Sequence, residues 1–276
     1  MNQENQFQFA KSQHLDQVTL LRAQMNDFAY GKHAHEEYSF GLTLAGRQDF
    51  FCGGEFHRSL PGNIIIFNPD DVHDGHSGVY DTLRYRMLYI HPTLLEPMLA
   101  SAGVEQSRDF QIAENLLNDT HIRQCISTMA HLIEQKTENT VFLEHELYQL
   151  AARIAQRYGK YSPNRVERKV DRLLQTAREY IHAHLLEDMS LDTISQHANL
   201  SKYHFLRMFR QQFGITPHQY ILNCRINRAR EALEAGHVID DVVFEYGFTD
   251  LSHFNRRFKP IYGMTPLQYQ QHVLNR

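Results

Sequence analysis

Arg207 and Arg256 stand at the same place in two copies of one helical pattern, and both belong to the second helix of their copy. A guanidinium is a planar fork of donors that matches guanine O6 and N7 in a major groove, so base-edge recognition is the chemistry this pair could perform. The first copy runs from Ser190 to Ile221 and the second from Ile239 to Tyr269. Phe205, Phe209, Gly214, Thr216, Pro217 and Tyr220 recur forty-nine positions later as Phe254, Phe258, Gly263, Thr265, Pro266 and Tyr269. Leu191, Ile194 and Ala198 recur at an offset of forty-eight as Ile239, Val242 and Tyr246, so the second copy has gained one residue between its helices. Both copies end in G-x-T-P-x-Q-Y.

Each copy reads as a helix, a tight turn and a second helix. In the first, Ser190 is an N-cap, Leu191, Ile194 and Ala198 share a face, Asn199 and Leu200 break the pattern, and Ser201 caps the next helix. Phe205, Met208, Phe209 and Phe213 then form a buried stripe, turning Lys202, Tyr203, Leu206, Arg207 and Arg210 outward until Gly214 stops the helix. In the second, Gly247 makes the turn and Thr249 or Asp250 caps. Phe254, Phe258 and Ile261 point inward, leaving Leu251, Ser252, His253, Arg256 and Lys259 outside. Pro260 falls late in this helix, a turn beyond Arg256, where it threatens a kink. Such a unit lays its second helix in a DNA major groove. Between the copies, His218 to Ala235 contains no Gly or Pro and predicts one connecting helix. At 1.5 Å per residue it spans about 27 Å, which with the packed ends suits two reading helices about 34 Å apart, one duplex turn.

The stretch GFTDLSHFNRRFKPIYGMTPLQY, together with its earlier copy, resembles the signature of the AraC/XylS family of bacterial transcription regulators, and the resemblance covers roughly Lys169 to Val273. It implies an all-α domain of seven helices with two helix-turn-helix motifs, binding double-stranded promoter DNA. It also assigns base-edge contacts to Tyr203, Leu206, Leu251, Ser252 and His253 beside the two arginines. His204, Arg210, Asn255 and Lys259 fall to the DNA backbone, and Lys202 joins the basic patch. Contact with RNA polymerase is a further implication for an activator. Charge fits a modest patch: residues 166–276 carry 14 Lys and Arg against 12 Asp and Glu, residues 1–165 carry 14 against 20, and the sum is the overall −4. This balance excludes a protein that coats nucleic acid indiscriminately.

The N-terminal half holds the other reactive cluster. His33, His35 and His73 invite a metal reading, because imidazole suits Zn, Fe, Ni or Cu and alternate residues of a strand share a face. Metal cupins usually supply a Glu about five residues after the second His, and here that place holds Phe40 while Glu36 and Glu37 crowd the histidines. The expectation is therefore no metal and no other cofactor, with His33, His35, Glu37, Tyr38, Asn68 and His73 lining a pocket for a small organic effector. Short apolar or alternating runs frame them: 18–25, 38–44, 47–52, 56–60, 64–68 and 82–90, punctuated by Gly and Pro pairs. Such spacing suggests a jelly roll or barrel. Pro61-Gly62-Asn63 followed by Asn68-Pro69 and His73 resembles half of a cupin signature, as in the arabinose-type sensor that precedes many AraC-family DNA-binding domains.

The periodicity then turns helical over 93–100, 120–136 and 141–158, where Leu143, Leu147, Leu150 and Ile154 line one face. In the resembled family a remaining stripe on the last of these helices makes a homodimer. The expected organisation is thus an α+β, multidomain chain. It has a flexible N-terminal arm (1–16), a cupin-like barrel (17–91), a helical dimerisation region (92–158), a linker (159–166) and a double helix-turn-helix domain (167–276). Cys52, Cys125 and Cys224 lack C-x-x-C spacing and read as reduced packing residues. No long apolar run suggests a membrane span, and Met1-NQENQFQF lacks the features of a signal peptide, so a cytoplasmic regulator without catalytic residues is expected. Two rivals stand beside it: a metal-dependent cupin enzyme fused to a DNA-binding module, and a regulator whose barrel is only a dimerisation scaffold.

Overall fold

Alternating apolar residues in the N-terminal half build antiparallel strands in the computed structural model, which describes residues 4–78, 82–104, 110–136, 140–160, 169–187 and 189–274. Two compact units result, one formed mainly by the N-terminal part of the chain and one mainly by the helices that follow it. Residues 161–168, most of the expected linker, lie outside the described residues; Gly159–Lys160 pairs with Gln111–Ile112 as a two-residue strand.

In the first unit one sheet orders six strands as β1 (Gln6–Lys11), β2 (Val18–Met25), β9 (Leu83–Ile90), β4 (Tyr38–Ala45), β7 (Ile64–Phe67) and β11 (Leu116–Leu117). The facing sheet orders β3 (Ala29–His33), β8 (His73–Ser77), β5 (Gln48–Cys52) and β6 (Glu55–Ser59). β10 (Gln111–Ile112) and β12 (Gly159–Lys160) form the short pair just described. The six sequence-expected strands are all present within a residue or so of their bounds. β1 is new: residues 6–11 were expected to be part of a flexible arm, yet they pair along their whole length with β2. Phe7 and Phe9 explain it, because both are buried at period two while Gln6 and Gln8, before and between them, are exposed. β3 and β8 were also missed, since AYGKH and HDGHS carry no apolar alternation.

Strand periodicity gives the six-stranded sheet two buried faces. Val18, Leu20, Tyr38, Phe40, Leu42, Ile64, Ile66, Leu88 and Ile90 meet α1 (Pro92–Ser101), α2 (Thr120–Gln135) and α3 (Thr140–Arg157) through Leu95, Leu99, Ile126, Met129, Leu147 and Ile154. The other face looks at the second sheet, where the rings of Phe50 and Phe67 meet edge to face at 5.4 Å. Asp119 caps α2 by accepting from the His121 and Ile122 amides, and it also takes Arg153 and Tyr158 of the α3 region at 3.0 and 2.9 Å. Burial alone would raise its pKa. Arg153, the Ile122 amide and Tyr158 together outweigh that and hold the carboxyl down at about 2.

The second unit is helical: α4 (Lys169–Ala183), α5 (Leu191–His197), α6 (Lys202–Phe213), α7 (Pro217–Glu234), α8 (Ile239–Glu245), α9 (Leu251–Tyr262) and α10 (Pro266–Leu274). The connecting helix expected from residue 218 onward is α7, 18 residues long and uninterrupted. α9 runs through Pro260 as one continuous helix.

Candidate DNA interface and histidine cluster

The turn of each motif rests on one residue with positive φ, Asn199 at 48° and Gly247 at 76°, occupying matched positions. Asn and Gly are the two residue types that tolerate this left-handed backbone most readily. The extra residue of the second copy lies in its turn, which runs from Tyr246 to Asp250 where the first runs from Ala198 to Ser201. Ser190 accepts from the Thr193 amide at 3.0 Å and caps α5 as expected. Capping of the two reading helices differs. Ser201 has the extended backbone of an N-cap but makes no side-chain cap bond. Asp250, by contrast, accepts from the His253 amide at 2.7 Å, and that bond lowers its pKa.

The repeated G-x-T-P-x-Q-Y closes each motif by the same physics. Gly214 and Gly263 end the reading helices at φ of 72° and 75°. The next helix then opens with a capping box. Thr216 and Thr265 each donate a backbone N–H to Gln219 or Gln268 at 3.0 Å and accept the Gln amide at 3.3 Å. Proline follows at N1, where its missing N–H costs nothing. The final tyrosine ties the motif to the helix in front of it. Tyr220 Oη accepts from Arg178 Nε of α4 at 3.0 Å, and Tyr269 Oη donates to Glu234 of α7 at 2.7 Å.

Phe205, Phe209, Phe254 and Phe258 are all fully buried, anchoring α6 and α9 by one face. Met208 and Phe213, expected in the same stripe, are only half-buried. The opposite face carries the candidate contacts. On α6, Tyr203 is 83% exposed and Arg207 and Arg210 are exposed, while Lys202, His204 and Leu206 are half-buried. On α9, Leu251, Ser252, Arg256 and Lys259 are exposed, with His253 and Asn255 half-buried. Tyr203, Leu206, Arg207 and Arg210 line one shallow groove together with Gln211, which sequence reasoning did not single out, and Thr216, known from the sequence only as part of the closing motif. A second groove is lined by His253, Arg256 and Arg257; Arg257 belongs to the basic cluster legible in the sequence but was given no contact of its own. Lys202 Nζ lies 2.6 Å from Asp192 Oδ2, so its charge is shared with α5.

His33, His35 and His73 come together in the first unit, with ring centroids 4.5 to 4.9 Å apart and all three residues buried. Antiparallel pairing sets His33 opposite His73, and the turn after β3 returns His35 to them. His33 Nδ1 contacts the Gly31 carbonyl at 2.6 Å and His73 Nδ1 the Asp71 carbonyl at 2.8 Å, the same two-residue reach on neighbouring strands. Burial pushes His33 down to about 4, against the opposing pull of the Gly31 carbonyl and Asp74, and pushes His73 well down. Both imidazoles are neutral. Nδ1–H donation to a carbonyl therefore leaves the lone pair on Nε2. Phe67 stacks on His73 at 3.6 Å, and Tyr89 meets His35 edge-on at 5.2 Å.

Two of the other sequence-selected effector contacts are engaged differently from what was expected. Tyr38 falls on the helix-side face of β4, in the core beneath α1–α3, and its hydroxyl donates to the Phe110 carbonyl at 3.0 Å. A one-residue offset from Ser39 is enough to send it to the opposite face. Asn68 is used by the backbone: its amide oxygen accepts from Ile112 N at 2.8 Å and its Nδ2 donates to Ile112 O at 3.1 Å. Glu37 is buried beside the histidine-bearing turn.

A barrel-like sandwich with buried polar rings, joined in sequence to two helix-turn-helix motifs with outward arginines, defines a DNA-binding regulator with a separate ligand-binding domain. Comparison with known proteins agrees. Residues 17–151 match the AraC-like ligand binding domain and residues 194–272 a helix-turn-helix domain. The chain is 28% identical over 226 residues to the uncharacterized HTH-type transcriptional regulator YbfI of Bacillus subtilis, covering 81% of each protein. It is 22% identical over 210 residues to the lactose operon transcription activator of Staphylococcus xylosus, covering 76% of this chain and 75% of that one. In fold it is similar to unsaturated fatty acid-bound ToxT of Vibrio cholerae, with a TM-score of 0.60 over 99% of both chains at 12% identity. The chain belongs to the AraC family of transcription regulators. Among the described residues no helix is long and apolar enough to cross a membrane.

Proposed function

We propose that this chain regulates transcription by laying α6 and α9 in two successive major grooves of promoter DNA, under the control of a small molecule held in the first unit. The carrying observation is the pair Arg207 and Arg256, exposed at matched positions on helices anchored by matched phenylalanines. In this reading the arginines, Tyr203, Leu206, Leu251, Ser252 and His253 face base edges. Arg210, Lys259, His204 and Asn255 hold the backbone, with Lys202 contributing charge. Residues 17–91 are the sensor barrel, 92–158 the dimerisation region, 159–166 the linker and 167–276 the DNA-binding domain. Two copies of the chain associate through the outer side of α3, where Val141, Phe142 and Tyr148 are 74%, 53% and 39% exposed. The protein works in the cytoplasm, where promoters are, and performs no catalytic step; where it activates, it touches RNA polymerase.

Control follows from linkage. An effector that prefers the arrangement suited to the operator raises DNA affinity by the same factor that DNA raises effector affinity. The aromatic walls and buried histidines between the sheets suit a ligand with an apolar body and a polar end, a chemistry to which the fatty acid of ToxT also belongs. The test is to sequence the DNA fragments retained by the full-length protein, with and without candidate small molecules. Two motifs about 10.5 base pairs apart, centre to centre, are expected for each bound chain. Retention without any shared motif overturns the reading.

A further inference from the structure

We propose that His33, His35 and His73 form a divalent transition-metal site, and that the metal's remaining coordination positions receive an anionic oxygen of the effector. The inference deepens the regulator reading and rests on it only for the word effector. Three side chains each offer one ring nitrogen, all within 4.8 Å of one another, and all three residues are buried. Closing around a metal with bonds of about 2.0–2.1 Å needs nitrogen separations of about 3.4 Å, a movement on the scale of small side-chain rotations.

Orientation of the rings speaks for a ligand role. Metal-bound histidines almost always donate their other N–H to a carbonyl or carboxylate, which fixes tautomer and ring plane. His33 and His73 both do this through Nδ1, to the carbonyls of Gly31 and Asp71, and the two histidines stand opposite each other in the β3–β8 pairing. Phe40 at the place of a fourth carboxylate ligand, which pointed away from metal in the sequence, now has a different meaning. Its side chain is part of the helix-side core, so the protein supplies three neutral ligands and leaves the rest of the sphere open. Three-ligand sites of this kind keep positions for exogenous groups. A buried dication held by neutral imidazoles alone is poorly compensated, and an anionic oxygen from outside restores the balance. Imidazole ligands select Zn, Fe, Ni, Co or Cu over Mg or Ca.

The experiment titrates Co2+ into full-length, tag-free protein stripped with chelator, following the visible absorption of the bound ion, its stoichiometry, and thermal stability. One ion per chain is expected, with a midpoint of unfolding that rises with Co2+. His33→Gln, His35→Gln and His73→Gln should each weaken binding by at least about 100-fold, more than loss of an outer partner does. His57→Gln, a half-buried control on β6, should not change it. Acetate or a medium-chain carboxylate should then perturb the Co2+ spectrum of the wild type. Wild-type protein that stays folded yet takes up no Co2+ overturns the site, whatever the variants do. Uptake unchanged in all three histidine variants overturns it as well, and a spectrum indifferent to every anion overturns the open position. Retained DNA from the same preparations separates the readings: operator selection without metal sinks this inference alone, and metal uptake without operator selection sinks the regulator reading alone.

Discussion

The two helix-turn-helix copies share a skeleton and differ in what they display. At matched positions the buried pair Phe205 and Phe209 equals Phe254 and Phe258, the closing glycine, threonine, proline, glutamine and tyrosine are identical, and the positive-φ turn residue is Asn199 in one and Gly247 in the other. On the outer face only the arginine and one histidine are common. Lys202, Tyr203, Leu206 and Arg210 become Leu251, Ser252, Asn255 and Lys259. Close packing tolerates few alternatives, whereas solvent-facing side chains are free to diverge toward different base pairs. The lesson is that the pair presents one frame with two reading surfaces, expected to recognise half-sites of unequal sequence.

Breaking the frame should cost most. Phe209→Ala and Phe258→Ala each empty a fully buried aromatic position and should destabilise the second unit by about 3–5 kcal/mol, measured by denaturant unfolding. If one is far cheaper than the other, the two frames are not equivalent. On the reading surfaces, Arg207→Ala and Arg256→Ala should each cost about 1–3 kcal/mol at the selected operator and relax base preference under that helix alone. Affinity unchanged in both would remove the basis for the site.

Salt dependence sharpens the contrast between the basic residues. Lys259→Ala should reduce the slope of log affinity against log salt by about 0.9, the value for one phosphate contact. Lys202→Ala should change it less, because Asp192 at 2.6 Å already shares that charge. Equal changes would show that the α5–α6 ion pair opens on DNA. The smallest effect belongs to the caps. Asp250→Ala should lower the melting temperature, while Ser201→Ala, which loses no cap bond, should leave it where it is. Since the pKa of Asp250 is depressed in the folded chain, its stabilisation is present above the ordinary value of 3.8 and is lost as pH falls through that region. The difference between the two variants should therefore vanish in acid.

Asp119 offers a reference in the other unit. Its carboxyl, held at about 2, contributes stability above its unfolded value of 3.8 that disappears between those two limits as pH falls. Asp119→Asn should flatten acid unfolding of the first unit in that window, and an unchanged acid limb would show that Arg153 and Tyr158 do little for it.

Legibility followed the range of the interactions. The motifs, α7 and even the added turn residue were readable because capping, helical period and glycine stops act within a few neighbours. Met208 and Phe213 fell short of burial because the stripe on α6 is narrower than the period alone suggests. Strands with clean alternation were readable too. β1 was overlooked because two phenylalanines among glutamines make a short signal, and β3 and β8 because their histidines and glycines carry none.

From its own residues the chain determined the duplicated DNA-reading unit, since every cap, turn and buried ring that defines it comes from a single stretch with local rules. Tertiary structure decided which of the residues suspected in the N-terminal half come together. It drew His33 and His35 to His73 by strand pairing across some forty residues, turned Tyr38 to the helix-side core and committed Asn68 to Ile112. Which side chains meet across a sheet depends on register, and register depends on partners that no local pattern names.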